Sequence, residues 1–137
     1  MSAGMSTALR NSRLSQILTA IDAGGAGGKI KVYNGTRPAT GVAITSQTLL
    51  GTLTFGYPSA PSPTGGVLTF NAIAPDTNAD ATGTATWARI TDSTDAFVMD
   101  VSVGAAGSGS DIELVAAGIS AGGVIAINSA SITEANA

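Results

Sequence analysis

Histidine and cysteine are both absent from this 137-residue chain. Their absence removes the side chains most used for proton transfer near neutral pH, for nucleophilic attack and for soft-metal ligation. Disulfides are excluded as well, so stability has to come from packing or from assembly. Charge is sparse, at 11% of residues with a formal net charge of −3, and aromatics make up only 4%. No run approaches the ~18 to 20 consecutive apolar residues that cross a bilayer, and no basic segment followed by an apolar stretch opens the chain as a secretory signal would. These absences predict a soluble scaffold made in the cytoplasm, with no enzymatic activity, no cofactor and no metal.

What the chain does contain is small and pleat-compatible. Eighteen glycines, many threonines and alanines, and a positive mean hydropathy describe an ordered β-rich domain rather than a disordered one. The length fits one domain that buries roughly two-thirds of its unfolded surface. Charge is unevenly spread. Residues 1–40 hold Arg10, Arg13, Lys29, Lys31 and Arg37 against Asp22 alone, whereas the remainder holds Arg89 against eight acids. That asymmetry predicts docking of the basic end on an acidic partner surface. Nucleic acid is not expected, because no dense basic stripe with interleaved aromatics is present.

The organisation falls into two parts. In residues 6–22, Leu14, Ile17, Leu18 and Ile21 recur at helical spacing, Ser6 or Thr7 is placed to cap the start, and the Gly24–Gly28 run ends the helix and forms a flexible hinge. Residues 1–28 therefore read as helix and hinge, and residues 29–137 as a β-domain. Met5 is a second possible start, with Met1 to Gly4 as a tail. Beyond the hinge the period becomes two, predicting strands at Lys29–Val32, Thr48–Phe55, Val67–Asn71, Thr84–Thr91, Phe97–Val103, Ile112–Ala116 and Val124–Thr133. A change of parity among Ile125, Ile127 and Ile132 predicts a bulge or break at Asn128–Ala130. The proline-rich stretch Pro58–Pro63 reads as a surface loop. Short strands with frequent turns predict an antiparallel β-sandwich, the jelly-roll being one form of it.

Sites for chemistry fail on inspection. Asp76-Thr77-Asn78-Ala79-Asp80 starts like a calcium loop but has Ala81 where glycine is required and Trp87 where a bidentate Glu belongs, so it reads as a polar connector. Gly24–Gly28 before Lys29 follows a helix and precedes a strand, the reverse of a phosphate loop. Asn34-Gly35-Thr36 matches a glycosylation sequon that has no meaning outside a secretory route. Asp92 and Asp95 are turn residues. Trp87 and Arg89 share one strand face, where the guanidinium can stack on the indole or pair with an acid; a structural role is preferred over an interface hot spot.

Two segments, Met5–Gly24 continuing into Lys29–Pro38, and Ala81–Ile90 continuing to Thr133, resemble small virion structural proteins of tailed bacteriophages. The resemblance implies a β-sandwich located in the virion, of the capsid decoration or cement type, binding the major capsid protein or other virion proteins as a homo-oligomer, with a trimer expected. It implies no catalytic residue. The segment Thr7–Pro38 is the expected docking element, through Arg10, Arg13, Leu14, Ile17, Leu18, Ile21, Lys29, Lys31 and Arg37. A tail or receptor/carbohydrate-binding module, or a head-to-tail connector component, is the alternative.

Overall fold

In a computed structural model, residues 4–134 are described; Met1–Ala3, part of the tail expected ahead of Met5, and Ala135–Ala137 lie outside the described residues. Helix α1 (Thr7–Asp22) starts where the Ser6 hydroxyl accepts the Leu9 N–H at 3.1 Å. That bond satisfies one of the orphan amides of the first turn. Leu14 and Ile21 are fully buried, Ile17 and Leu18 are partly so, and all four join the core of the sheet. The helix lies against the strands Val67–Thr69 and Phe97–Ala105.

The glycine run after α1 is exposed over residues 24–26, and its end is packed at Gly27 and Gly28. A Cβ on Gly27 or Gly28 would collide with the carbonyl oxygens of Phe55 or Thr91, and the Gly28 carbonyl accepts the Phe55 N–H at 2.9 Å. Only glycine allows two backbones to approach that closely. The turn proper is made at Gly25, whose φ of 78° is left-handed.

Nine strands follow: β1 (Lys29–Tyr33), β2 (Leu49–Thr54), β3 (Val67–Thr69), β4 (Gly83–Thr84), β5 (Trp87–Thr91), β6 (Phe97–Ala105), β7 (Ile112–Leu114), β8 (Gly118–Ile119) and β9 (Ile127–Thr133). Seven form one sheet in the order β2-β1-β5-β6-β7-β9-β3, and β4 pairs with β8 in a small second sheet. The expectation of a wholly antiparallel arrangement needs correction at one junction. β6 and β7 run parallel, with Val103 opposite Ile112 and Ala105 opposite Leu114.

So short a parallel connection is unusual, since such crossovers ordinarily take a dozen residues or more. Here Gly107 and Gly109 adopt φ of 84° and 79°, which lets the chain double back within a few residues. Glu113 then accepts the N–H groups of both glycines, at 3.1 and 2.9 Å, and secures the loop against the strand it has just entered.

Pairing register decides which side chains share a face. Ile30 sits opposite Leu53 on one side and Ile90 on the other; Ile90 faces Met99, and Ala88 faces Val101. These residues point into one apolar cluster that also takes Leu68, Ile112, Ala130 and the helix. The opposite face of β1, β5 and β6 carries Lys31, Arg89 and Asp100 in one row and Tyr33, Trp87 and Ser102 in the next.

Several local expectations change. The strand expected over Thr84–Thr91 splits into β4 and β5, because Ala85 donates to the Ala117 carbonyl before Thr86 turns to Tyr33. The bulge expected near Asn128 is present: Glu113 pairs with Ser129 and Leu114 with Ile127, leaving Asn128 without an opposite residue on β7. In the proline-rich stretch Tyr57, Pro58, Pro61 and Ser62 are exposed, whereas Ser59, Ala60 and Pro63 are buried. The Ser59 N–H is held by the Asp22 carboxylate at the end of α1, at 3.1 and 3.3 Å, so this surface loop is also a lid on the helix terminus. Among the described residues, no helix is long and apolar enough to cross a membrane.

Candidate partner-binding surfaces

The row Lys31, Arg89 and Asp100 becomes a brace through residues 34–48, which link β1 to β2. Arg89 binds Asp100 through two parallel bonds, Nε to Oδ1 at 2.8 Å and Nη2 to Oδ2 at 3.1 Å, and gives its remaining nitrogen to the Val42 carbonyl at 2.8 Å. The Asp100 side chain is fully buried and also accepts the Gly41 N–H. Hydrogen bonding to Asp100 raises the Arg89 pKa above its ordinary value, against the opposing effect of burial. In a planar fork of this kind, charge and geometry act together.

The aromatic residues complete the brace. Tyr33 stacks on Trp87 with ring centroids 4.7 Å apart and planes 14° from parallel. The Arg89 guanidinium lies 5.5 Å from the Trp87 ring and 5.2 Å from Phe97. Trp87 is 2% exposed, and its indole N–H donates to the Asn34 carbonyl. Both roles weighed for Arg89, stacking and acid pairing, are therefore realised in one place, and Trp87 is committed to the interior.

The nine residues expected to dock on a partner are distributed differently. Leu14, Ile17, Leu18 and Ile21 are spent on the chain's own core. Arg13 pairs with Glu134 at 3.2 Å, and Arg10 donates to the Glu134 carbonyl and the Thr7 hydroxyl. Lys29 and Lys31 converge on Asp95 at 3.0 and 2.8 Å. Arg37 reaches the Asp100 carbonyl at 3.4 Å and is otherwise exposed. Arg13, Lys29 and Lys31 of the leading segment thus pair with acids distant in sequence, whereas Arg10 and Arg37 bond uncharged oxygens.

The acids show the same consumption. Lys31 first, and Lys29 second, hold the Asp95 carboxyl below its ordinary pKa. Asp92 is lowered chiefly by the Thr94 hydroxyl, with the Ala96 N–H adding to it. Glu113 is lowered by the Gly107 and Gly109 amides, with the Ser129 hydroxyl also bonded to it. Asp76, the first residue of the rejected calcium-like segment, accepts the Thr52 and Asn78 N–H groups. A Cβ on Gly51 would strike its carboxylate, so that glycine makes room for it.

Depressions in the surface of the described residues are a further kind of candidate. A small one of about 270 Å³ lies beside Trp87, between Arg37, Thr86, Ser102 and Asp111. A larger one of about 510 Å³ lies beside β9, and no sequence signal pointed to it, because it arises from strands parting. Exposed large apolar side chains are scattered: Leu9, Val42, Tyr57, Phe97, Val115 and Val124. Comparison with protein-family models, curated proteins and solved structures finds no match.

Proposed function

We propose that this chain is a non-enzymatic virion structural protein of a tailed phage, of the capsid decoration or cement type, which binds the head shell as a homo-oligomer, with a trimer as the working assembly. The observation that carries the reading is the commitment of reactive side chains to internal bracing. Arg89, Asp100, Asp95 and Glu113 all have partners within the chain, which leaves shape and adhesion as the means of action. In the same reading the sheet closes into a two-layer sandwich of jelly-roll type. Support comes from the single core shared by residues at both ends of the strand order, from Leu53 and Ile30 to Ile132 and Leu68.

Attachment through Thr7–Pro38 takes a narrower form once the helix is packed. The side chains of that segment left facing outward include Leu9, at 49% exposure, Arg13 and Arg37. Many such modest contacts, repeated by symmetry, add through avidity. Deleting residues 1–28 would strip Leu14 and Ile21 from the core, so it cannot separate docking from folding. The triple substitution Leu9→Ser, Arg13→Glu, Arg37→Glu can.

Copy number in purified particles tests the class. Hundreds of copies support decoration; about a dozen or fewer point to a connector or tail component, including a receptor-binding module. Within the decoration reading, the triple variant is expected to lose roughly tenfold or more in occupancy, with a melting temperature only a few degrees below the parent's, the cost of the surface pair of Arg13 with Glu134. Unchanged occupancy would remove the leading segment from the interface.

A further inference from the structure

Two opposite charges line the smaller cavity without meeting. Strand β6 pairs with β7 only from Val103 onward, so the edge of β6 ahead of that point carries main-chain groups that β7 does not reach. Side chains from elsewhere take them instead. Arg37 donates through Nη1 to the Asp100 carbonyl at 3.4 Å, and the Asp111 carboxylate accepts the Ser102 N–H at 3.2 Å. Those anchor points are two residues apart on one strand, roughly 6 to 7 Å. The cavity of about 270 Å³ is lined by Arg37, Asp111, Thr86 and Ser102, with Trp87 and Val101 as its apolar side.

Each charge is set for a partner from outside. Among the described residues neither Arg37 nor Asp111 belongs to an ion pair, whereas Arg13, Lys29, Lys31 and Arg89 each do. Ser102 fixes the acid in place: its hydroxyl donates to Oδ2 at 3.2 Å and accepts the Asp111 N–H at 3.0 Å. Both bonds to the carboxylate fall on Oδ2, which leaves Oδ1 unengaged among the described residues. Arg37 likewise uses one nitrogen, and its other two can grip a carboxylate as a fork. A simple cation drawn to Asp111 would be repelled by Arg37, and a simple anion the reverse. A ligand that carries both charges is opposed by neither.

We infer that this cavity binds a small zwitterion of the α-amino acid type. The ligand's carboxylate lies on the Arg37 guanidinium, its ammonium on Oδ1 of Asp111, and a short uncharged side chain rests toward Trp87 and Val101. The cavity has the volume of roughly nine liquid waters, which leaves room for a ligand of that size. Contacts between exposed charges are individually weak, so a Kd of about 1 to 10 mM is expected. Such a site goes beyond attachment to a head shell, and its failure would leave that reading intact, because copy number in particles decides it.

The test is a titration of the ¹⁵N-labelled full chain at about pH 6, where an α-amino group is charged, with three probes: L-valine, N-acetyl-L-valine, which keeps only the carboxylate, and L-valinamide, which keeps only the ammonium. L-Valine is expected to shift the Arg37 Nε–H and the amides of Ser102 and Asp111, and each single-charge analogue to bind about tenfold more weakly. Arg37→Gln should abolish the preference for valine over valinamide, and Asp111→Asn the preference for valine over N-acetylvaline. Local unfolding would not produce that crossed pattern. Should either variant unfold, the ranking of the three probes on the parent chain decides alone. Absence of shifts at about 50 mM valine, equal binding of either analogue, or variants that leave both preferences unchanged would overturn the proposal.

Discussion

The face of β1, β5 and β6 beneath residues 34–48 and the cleft beside β9 are made from similar strands, short and rich in small residues, yet they treat polar groups in opposite ways. On the braced face, register sets Lys31, Arg89 and Asp100 in one row, and the covering loop donates and accepts the remaining bonds. At the cleft, residues 71–74 are drawn away by Ser59 and Thr54, and main-chain groups are left unpaired. A buried polar group is costly without a partner and inexpensive with one. The first region has its partners within the chain; the second leaves the main-chain groups of Ala72 and Ile73 without one among the described residues.

The largest effect should come from breaking the braced face. Arg89→Ala leaves the Asp100 carboxylate buried without its counter-ion, and a loss of about 3 to 5 kcal/mol in urea unfolding is expected. The double substitution Arg89→Met, Asp100→Leu should recover much of that loss. A single variant indistinguishable from the parent would show that the brace is ornamental.

Leu14→Ala comes next, at about 2 to 5 kcal/mol, because the side chain is fully buried between helix and sheet. A much smaller loss would mean that α1 does not rest on its own core in solution. Ser6→Ala, which removes the helix cap, should cost about 1 kcal/mol.

Acid sharpens the comparison further. Asp92, Asp95 and Glu113 are held below their ordinary values of 3.8, 3.8 and 4.5. A carboxylate with a lowered native pKa stabilises the fold above its ordinary pKa and loses that contribution as pH falls through the lowered one. Stability should therefore decline from about pH 4.5 downward. Lys29→Gln with Lys31→Gln should flatten the decline by releasing Asp95; an unaltered slope would mean that the two lysines do not hold it. Smallest of all is Arg13→Ala at the surface pair with Glu134, for which less than about 1 kcal/mol is expected in the same unfolding experiment.

Sequence pattern reached far into the local structure and stopped at its borders. The Leu14–Ile21 spacing marked the helix and Ser6 or Thr7 its cap, of which the fold uses Ser6, since both depend on residues within a turn or two of each other. The parity change around Ile127 located the bulge for the same reason. The parallel β6–β7 junction was missed, because it depends on Glu113 reaching back to Gly107 and Gly109, and a Gly/Ser loop reads alike whether it reverses a hairpin or a parallel return. The Trp87 and Arg89 pair was visible as two residues on one face, but Asp100 as their acid required the register of the neighbouring strand.

Alternation and composition were enough to establish a β-rich body behind one amphipathic helix, because those properties follow from side chains a few positions apart. Long-range pairing settled the rest. It set Arg13, Lys29 and Lys31 against distant acids, packed Gly27 and Gly28 against the carbonyls of Phe55 and Thr91, and drew residues 71–74 toward Ser59 and Thr54. Each of these depends on which distant backbone claims a hydrogen bond first, and that competition is decided only when the strands have met.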